Sequence, residues 1–191
     1  ASQSSVNIVE VKNITIRSSV LKIPMDITVL GEEEYITFNL GGTNYVYDGD
    51  TIYAGSTGYR LLGIDAPEII TEASNEIEFK QKKDASNSKV VLENLIHHSD
   101  STARIVWDGS TDTHDRRLCH VYVSIDGKWV NANQLMLANG YAVITTEYKI
   151  SDDESITRKF YSYSNYIPSE YMYDLDSELE QDFIEYNEAF F

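Results

Sequence analysis

Three short blocks of this 191-residue chain gather carboxylates and arginines at spacings that can do chemistry. The first is Asp48-Gly49-Asp50-Thr51. The second runs from Arg60 to Glu68 and ends Asp65-Ala66-Pro67-Glu68. The third runs from Asp112 to Leu118 and holds His114, Arg116 and Arg117. Asp50 and Asp65 are expected at the ends of neighbouring strands, where two carboxylates can share one Ca²⁺, a hard cation that takes oxygen ligands in flexible geometry. The backbone carbonyl of Ala66 could add a third oxygen. Asp48, two residues from Asp50, suits a place behind the direct ligands. Glu68, stiffened by Pro67, would orient or deprotonate an attacking water. Arg60 and Arg116 offer planar guanidiniums, which meet the charge gathering on phosphoryl oxygens better than lysines would. A metal, two guanidiniums and a carboxylate base are the parts needed to hydrolyse a P–O bond. Arg117 leaves two candidates for the phosphate ligand. Spacing to Asp112 and Leu118 favours Arg116. Alone, Asp-Gly-Asp is a common turn and Asp-Ala-Pro-Glu a helix start; the conjunction of the blocks carries the argument.

The elements that must hold these groups are legible as patterns. Thr43 to Tyr47 alternates as a strand, Asp48-Gly49-Asp50 turns it, Thr51 to Tyr53 resumes, and Tyr59 to Ile64 makes a third strand after Gly55 to Gly58. A helix is expected over 79–97, with Ala85, Val90, Val91, Leu92, Leu95 and Ile96 as its apolar stripe. A fourth strand spans 102–107, a polar loop 108–115 and a fifth strand 118–125. Asp126-Gly127 then turns into Lys128 to Val130, and a short helix over 131–139 stops at Gly140. The expected class is α+β: an OB-type five-stranded β-barrel with two to three helices, plus a β-rich N-terminal extension. The domain reading is an extension over 1–41, a barrel over 42–150 and an acidic, tyrosine-rich segment over 151–191 with a helix within 175–191. Residues 5–40 are either a small β module or extra strands on the barrel.

Composition bounds the partners. The net charge of −16 argues against a protein that simply coats nucleic acid. Residues 150–191 carry eleven acidic against two basic residues and so hold more than half of that excess. The single cysteine, Cys119, excludes an intramolecular disulfide framework and fits a buried thiol. No run is apolar for long enough to span a bilayer, and residues 1–20 lack a signal-peptide pattern. The chain is expected to be soluble. Its compartment is left open, and a secreted protein or a component of a virus particle both fit. His97-His98 suit a helix C-terminus, and His120, Trp107 and Trp129 suit structural places. Tyr161, Tyr163, Tyr166, Tyr171 and Tyr173 are expected to pack or to meet a protein partner rather than stack on bases.

The blocks, in their order, resemble the staphylococcal nuclease (thermonuclease) family over roughly residues 43–149. The resemblance extends to the helix ending Asn139-Gly140-Tyr141-Ala142. It implies a calcium-dependent endonuclease, cutting DNA and RNA to leave 3′-phosphate and 5′-hydroxyl ends. It gives Asp50, Asp65 and the Ala66 carbonyl to calcium, Glu68 to the base, Arg60 and Arg116 to the phosphate, and Asp48 to a supporting place. The chain departs from the family at His114 and Asp115, where tyrosine and glycine commonly precede the second arginine. Thr113 stands where a lysine holds nucleotide phosphate, and Thr146 where one base-pocket tyrosine sits, while Tyr148 remains. Substrate contacts are therefore expected from His114, Arg117 and Tyr148. The alternative is a weakly active or non-catalytic nuclease-like module in a larger assembly. It would engage protein partners through its N-terminal strands or acidic C-terminal segment.

Overall fold

Alternating apolar residues build most of the strands. In chain order these are β1 (Val11–Ile16), β2 (Ser19–Pro24), β3 (Ile36–Asn39), β4 (Asn44–Asp48), β5 (Thr51–Ala54), β6 (Thr57–Leu61) and β7 (Ile64–Asp65). There follow α1 (Glu76–His98), β8 (Thr102–Thr111), β9 (Arg117–Ile125), β10 (Lys128–Asn131), α2 (Ala132–Ala138), β11 (Val143–Ile144) and α3 (Glu154–Ser162). The structure is a computed structural model, and it describes residues 10–164. The helix expected within 175–191, with Tyr166, Tyr171 and Tyr173, lies outside the described residues.

Seven strands form one strongly curled sheet in the order β3-β8-β9-β6-β5-β4, with β10 paired to β9. All neighbours are antiparallel except β6 and β9, which run parallel with Arg60 beside Leu118. The two ends of that order, β3 and β4, are consecutive in the chain. Gly41 and Asn44 exchange backbone hydrogen bonds of 3.0 Å each in the turn that joins them, so the chain itself links the sheet's two edges. This is the OB-type architecture the patterns imply. The five expected strands appear as β4, β5, β6, β8 and β9, with α1 entering between the third and fourth and α2 following the fifth.

Residues before Gly41 contribute a hairpin and a sheet strand. β1 pairs β2, and Ile16, Leu21, Ile23 and Ile27 sit in the same core as Ile52, Ile64, Leu92, Val121 and Leu135. β3 extends the main sheet beside β8, with Ile36 opposite Ile105. Each such aliphatic side chain taken out of water stabilises the fold by roughly 1.5–3 kcal/mol.

Three local expectations are corrected. The segment over 108–111 is strand, because β8 continues past Trp107 through a register shift to pair Thr111 with Arg117. Its polar residues are compatible with a ladder that has left the core. The third strand breaks at Leu62-Gly63, where Gly63 has φ +80°, so β6 and β7 are separate. Val90 is exposed, not in the apolar stripe of α1. The helical period instead buries Ala85, Ser88, Val91, Leu92, Asn94, Leu95 and Ile96.

Candidate active site

The first block is the β4–β5 turn. Asp48 lies beyond a bulge that follows Val46, and its Oδ1 accepts the Asp50 N–H at 3.1 Å. Both Asp50 oxygens are engaged. Oδ1 accepts from the Thr51 hydroxyl at 2.7 Å and Oδ2 from the Ala66 N–H at 2.7 Å. That second bond ties the first block to the second. Gly49 makes the approach possible, because a Cβ there would lie 2.7 Å from the Cβ atoms of both Ala66 and Ser88. The turn is thus pressed between α1 and the Asp65–Glu68 segment.

Arg60 sits opposite Thr51 in the β5–β6 ladder. Its Nη1 donates to the carbonyls of Leu61 (2.9 Å) and Ile64 (2.7 Å), which fixes the guanidinium plane. Its Nη2 stands 3.5 Å from Asp50 Oδ2 and 3.4 Å from Asp65 Oδ1. Glu68 lies exposed in the loop after β7, and its backbone carbonyl accepts from Gln81 Nε2 at 3.2 Å.

The third block is a tight turn organised by Asp112. Asp112 Oδ1 accepts the backbone N–H groups of His114 and Arg116, and Oδ2 accepts Arg116 Nε at 2.7 Å. Arg116 Nη1 also donates to the Thr51 hydroxyl at 3.3 Å. Burial opposes ionisation of Asp112, but the hydrogen bonds from Arg116 and His114 outweigh it and hold this carboxyl below its ordinary range. Burial likewise disfavours the Arg116 cation, and the bond to Asp112 outweighs that, so Arg116 stays charged.

These pieces enclose a cleft of about 250 Å³, lined by Asp48, Asp50, Arg60, Asp65, Glu68, Asp112, Thr113, His114, Arg116, Glu147 and Tyr148. Nearly all the sequence candidates come together there. Ala66 adjoins the cleft through its bond to Asp50, and Tyr148 receives the Thr113 N–H at 3.3 Å. Arg117 is placed elsewhere. Its guanidinium lies 4.1 Å from the centre of the Trp107 ring and bonds the Tyr59 hydroxyl at 3.2 Å. Arg116 closes the Asp112 turn while Arg117 opens β9, and their guanidiniums are held by different partners, Asp112 for one and Trp107 with Tyr59 for the other.

Six carboxylates and two guanidiniums line this space. Burial, then the charge of Asp50, raises the Asp48 carboxyl to about 7 despite Arg60. Burial and Asp50 also raise Asp65 to about 6, with Glu68 and Glu147 adding to the effect and Arg60 opposing it. The cleft is short of positive charge. Glu147 escaped the sequence reading. It precedes Tyr148 in a segment with neither helical nor strand periodicity, so only its neighbour pointed to it.

A family model described as staphylococcal nuclease homologue matches residues 59–163, more than half of the chain. The match takes in Arg60 to Glu68, the Asp112 turn and α3, and starts after the Asp48–Thr51 block, which the Asp50–Ala66 bond attaches to it. No curated protein matches the chain.

Proposed function

The chain belongs to the staphylococcal nuclease homologue family, and from that premise we propose that it is a calcium-dependent nuclease hydrolysing phosphodiester bonds of DNA or RNA. The observation that carries this reading is the convergence of Asp50, Asp65, Glu68, Arg60 and Arg116 on one cleft. The donor set fits calcium. It offers only oxygen, and the raised Asp48 and Asp65 carboxyls mark a surplus of negative charge that a divalent cation would offset. Among the described residues no three acidic, histidine or cysteine side chains are grouped tightly enough to hold an ion by themselves. The proposed ligands are accordingly two carboxylates, Asp50 and Asp65, and the Ala66 carbonyl, with water completing the shell. Bound there, calcium would neutralise charge building on the phosphoryl oxygens.

The chain's own groups do the rest. Arg60, its plane fixed by two carbonyls, and Arg116, held by Asp112, clamp phosphoryl oxygens from two sides. Glu68, at the exposed rim, takes the proton of the attacking water. Asp48 fixes the turn by accepting the Asp50 N–H. Tyr148 and His114 face the same space and would contact the nucleotide.

The test is incubation of the pure protein with single-stranded and duplex DNA and RNA in calcium. Cleavage is expected, lost on chelation and reduced about 10²- to 10⁴-fold in Glu68→Gln. Intact nucleic acid at every pH tried would overturn the assignment. One observation favours the second reading, a weakly active module within an assembly. Glu147 adds a carboxylate to the cleft wall, where a substrate phosphate must enter.

A further inference from the structure

The outer face of the β4–β5 hairpin carries three tyrosine rings. Alternation sends Val46 and Ile52 into the core and turns Tyr45, Tyr47 and Tyr53 outward. Tyr45 is opposite Tyr53 in the ladder and stacks on it, with centroids 5.4 Å apart and planes 16° from parallel. Tyr47 meets Tyr53 edge-on at 6.0 Å. Cross-strand stacking accounts for the Tyr45–Tyr53 pair as a stabilising contact. It does not account for Tyr45 and Tyr47 remaining 44% and 48% exposed.

This face runs directly into the cleft. Tyr53 pairs with Gly58 and Thr51 with Arg60, so rings and phosphate-facing groups share one side of the sheet. Gly58 is the junction. A Cβ there would lie 3.0 Å from the Tyr53 ring and 2.9 Å from Arg116 Cγ. Only a bare Cα lets ring and arginine stem meet.

We propose that Tyr45, Tyr47 and Tyr53 form a base-stacking subsite for the unpaired nucleotides that flank a phosphate held at Arg60 and Arg116. The proposal rests on the nuclease reading and extends it beyond the cleft. An aromatic face accepts any base without hydrogen-bond readout and without added positive charge, which suits a chain of net charge −16. A paired base keeps its faces inside its own stack, so the subsite selects single strands.

The experiment uses the full chain carrying Glu68→Gln, in calcium, with a fluorescein-labelled oligothymidylate of about twelve nucleotides, a length within the range that such surfaces span. Anisotropy gives its affinity, and a gel checks that it stays intact. Adding Y45L/Y47L, which keeps apolar bulk but removes the rings, is expected to weaken binding about tenfold or more. Y45F/Y47F is expected to bind like the parent, and so is Val90→Ala at an exposed position of α1. A hairpin duplex of equal length is expected to bind more weakly than the single strand. Affinity within twofold of the parent in Y45L/Y47L, equal affinity for the duplex, or no binding at all would each overturn the subsite. Cleavage by the unsubstituted chain is scored separately. Cleavage with an unaffected Y45L/Y47L rejects the subsite alone, whereas no cleavage rejects the nuclease reading.

Discussion

Arg116 and Arg117 differ by one position and by everything around them. Arg116 is gripped through Nε by Asp112 and reaches Thr51 beside Asp50, while Arg117 lies over Trp107 with Tyr59 alongside. Arg116→Ala is therefore expected to lower the cleavage rate about 10²- to 10³-fold, the range for loss of one transition-state donor. Arg117→Ala is expected to leave that rate within a few-fold and to cost about 0.5–1 kcal/mol of stability through the lost cation–π contact. Rates on one oligonucleotide, with urea denaturation of both variants, check the pair. A large rate loss in Arg117→Ala would reverse the assignment. At this scale the sequence was legible where chemistry is local. Asp50, Asp65, Glu68 and Arg60 stand in contiguous motifs, and spacing to Asp112 already favoured Arg116. Side-chain direction was not legible, since it depends on the strand pairing that puts Tyr59 beside Arg117.

Helix α3 is locked to the barrel at the break between β6 and β7. Gly63 has φ +80°, and a Cβ there would lie 2.5 Å from the Phe160 ring and 2.6 Å from Ile150 Cδ1. Phe160 and Tyr161 are buried, and the Tyr161 hydroxyl donates to the Thr145 carbonyl at 2.7 Å. Gly63→Ala thus meets both a disfavoured backbone and an occupied space, and is expected to destabilise the protein by about 2–4 kcal/mol. Thermal unfolding followed by circular dichroism measures this; a loss below half a kcal/mol, order-of-magnitude, would mean that α3 yields instead. The same packing explains what element-level patterns could and could not foretell. Tyr161 and Tyr163 are expected to pack or to meet a partner, and both are buried, Tyr161 within the core and Tyr163 with its hydroxyl donating to the Asp26 carbonyl. The break at Gly63 is hidden because the largely apolar run from Tyr59 to Ile64 reads as one continuous strand. The extension of β8 was hidden because Asp108 to Thr111 has turn-forming composition, although its pairing is set by β9. Val90 departs from the expected apolar stripe because an apolar run gives no phase. Ser88 and Asn94 fix that phase, and the buried Ser88 hydroxyl bonds the Tyr141 carbonyl at 2.6 Å.

For the whole molecule, net charge, cleft and pH act together. Asp48 and Asp65 have folded-state carboxyls raised from 3.8 to about 7 and about 6. A carboxyl raised on folding favours the folded state while protonated. That contribution is full below about pH 4 and is lost as pH rises through 6 to 7. His120 acts in the opposite sense. Burial lowers it from 6.5 to about 4, so its contribution is present above pH 6.5 and is lost as pH falls towards 4. The two trends overlap, and a single stability–pH curve would mix them. The calcium-induced change in Tm at fixed pH separates them, because His120 lies outside the cleft and cancels in the difference. Calcium must displace whatever protons Asp65 holds, and those of Asp48 beside its other proposed ligand Asp50, so its apparent affinity rises with pH through the 6–7 window. The shift in Tm is accordingly expected to be small at pH 5 and larger at pH 8, with protons released on binding near pH 6.5. A hundredfold excess of calcium over Kd would stabilise the fold by about 2.7 kcal/mol, roughly 5–10 °C for a domain of this size. Equal shifts at the two pH values, or the same shift in Asp65→Asn, would show that calcium acts on the acidic surface at large and not on the carboxylates of the cleft.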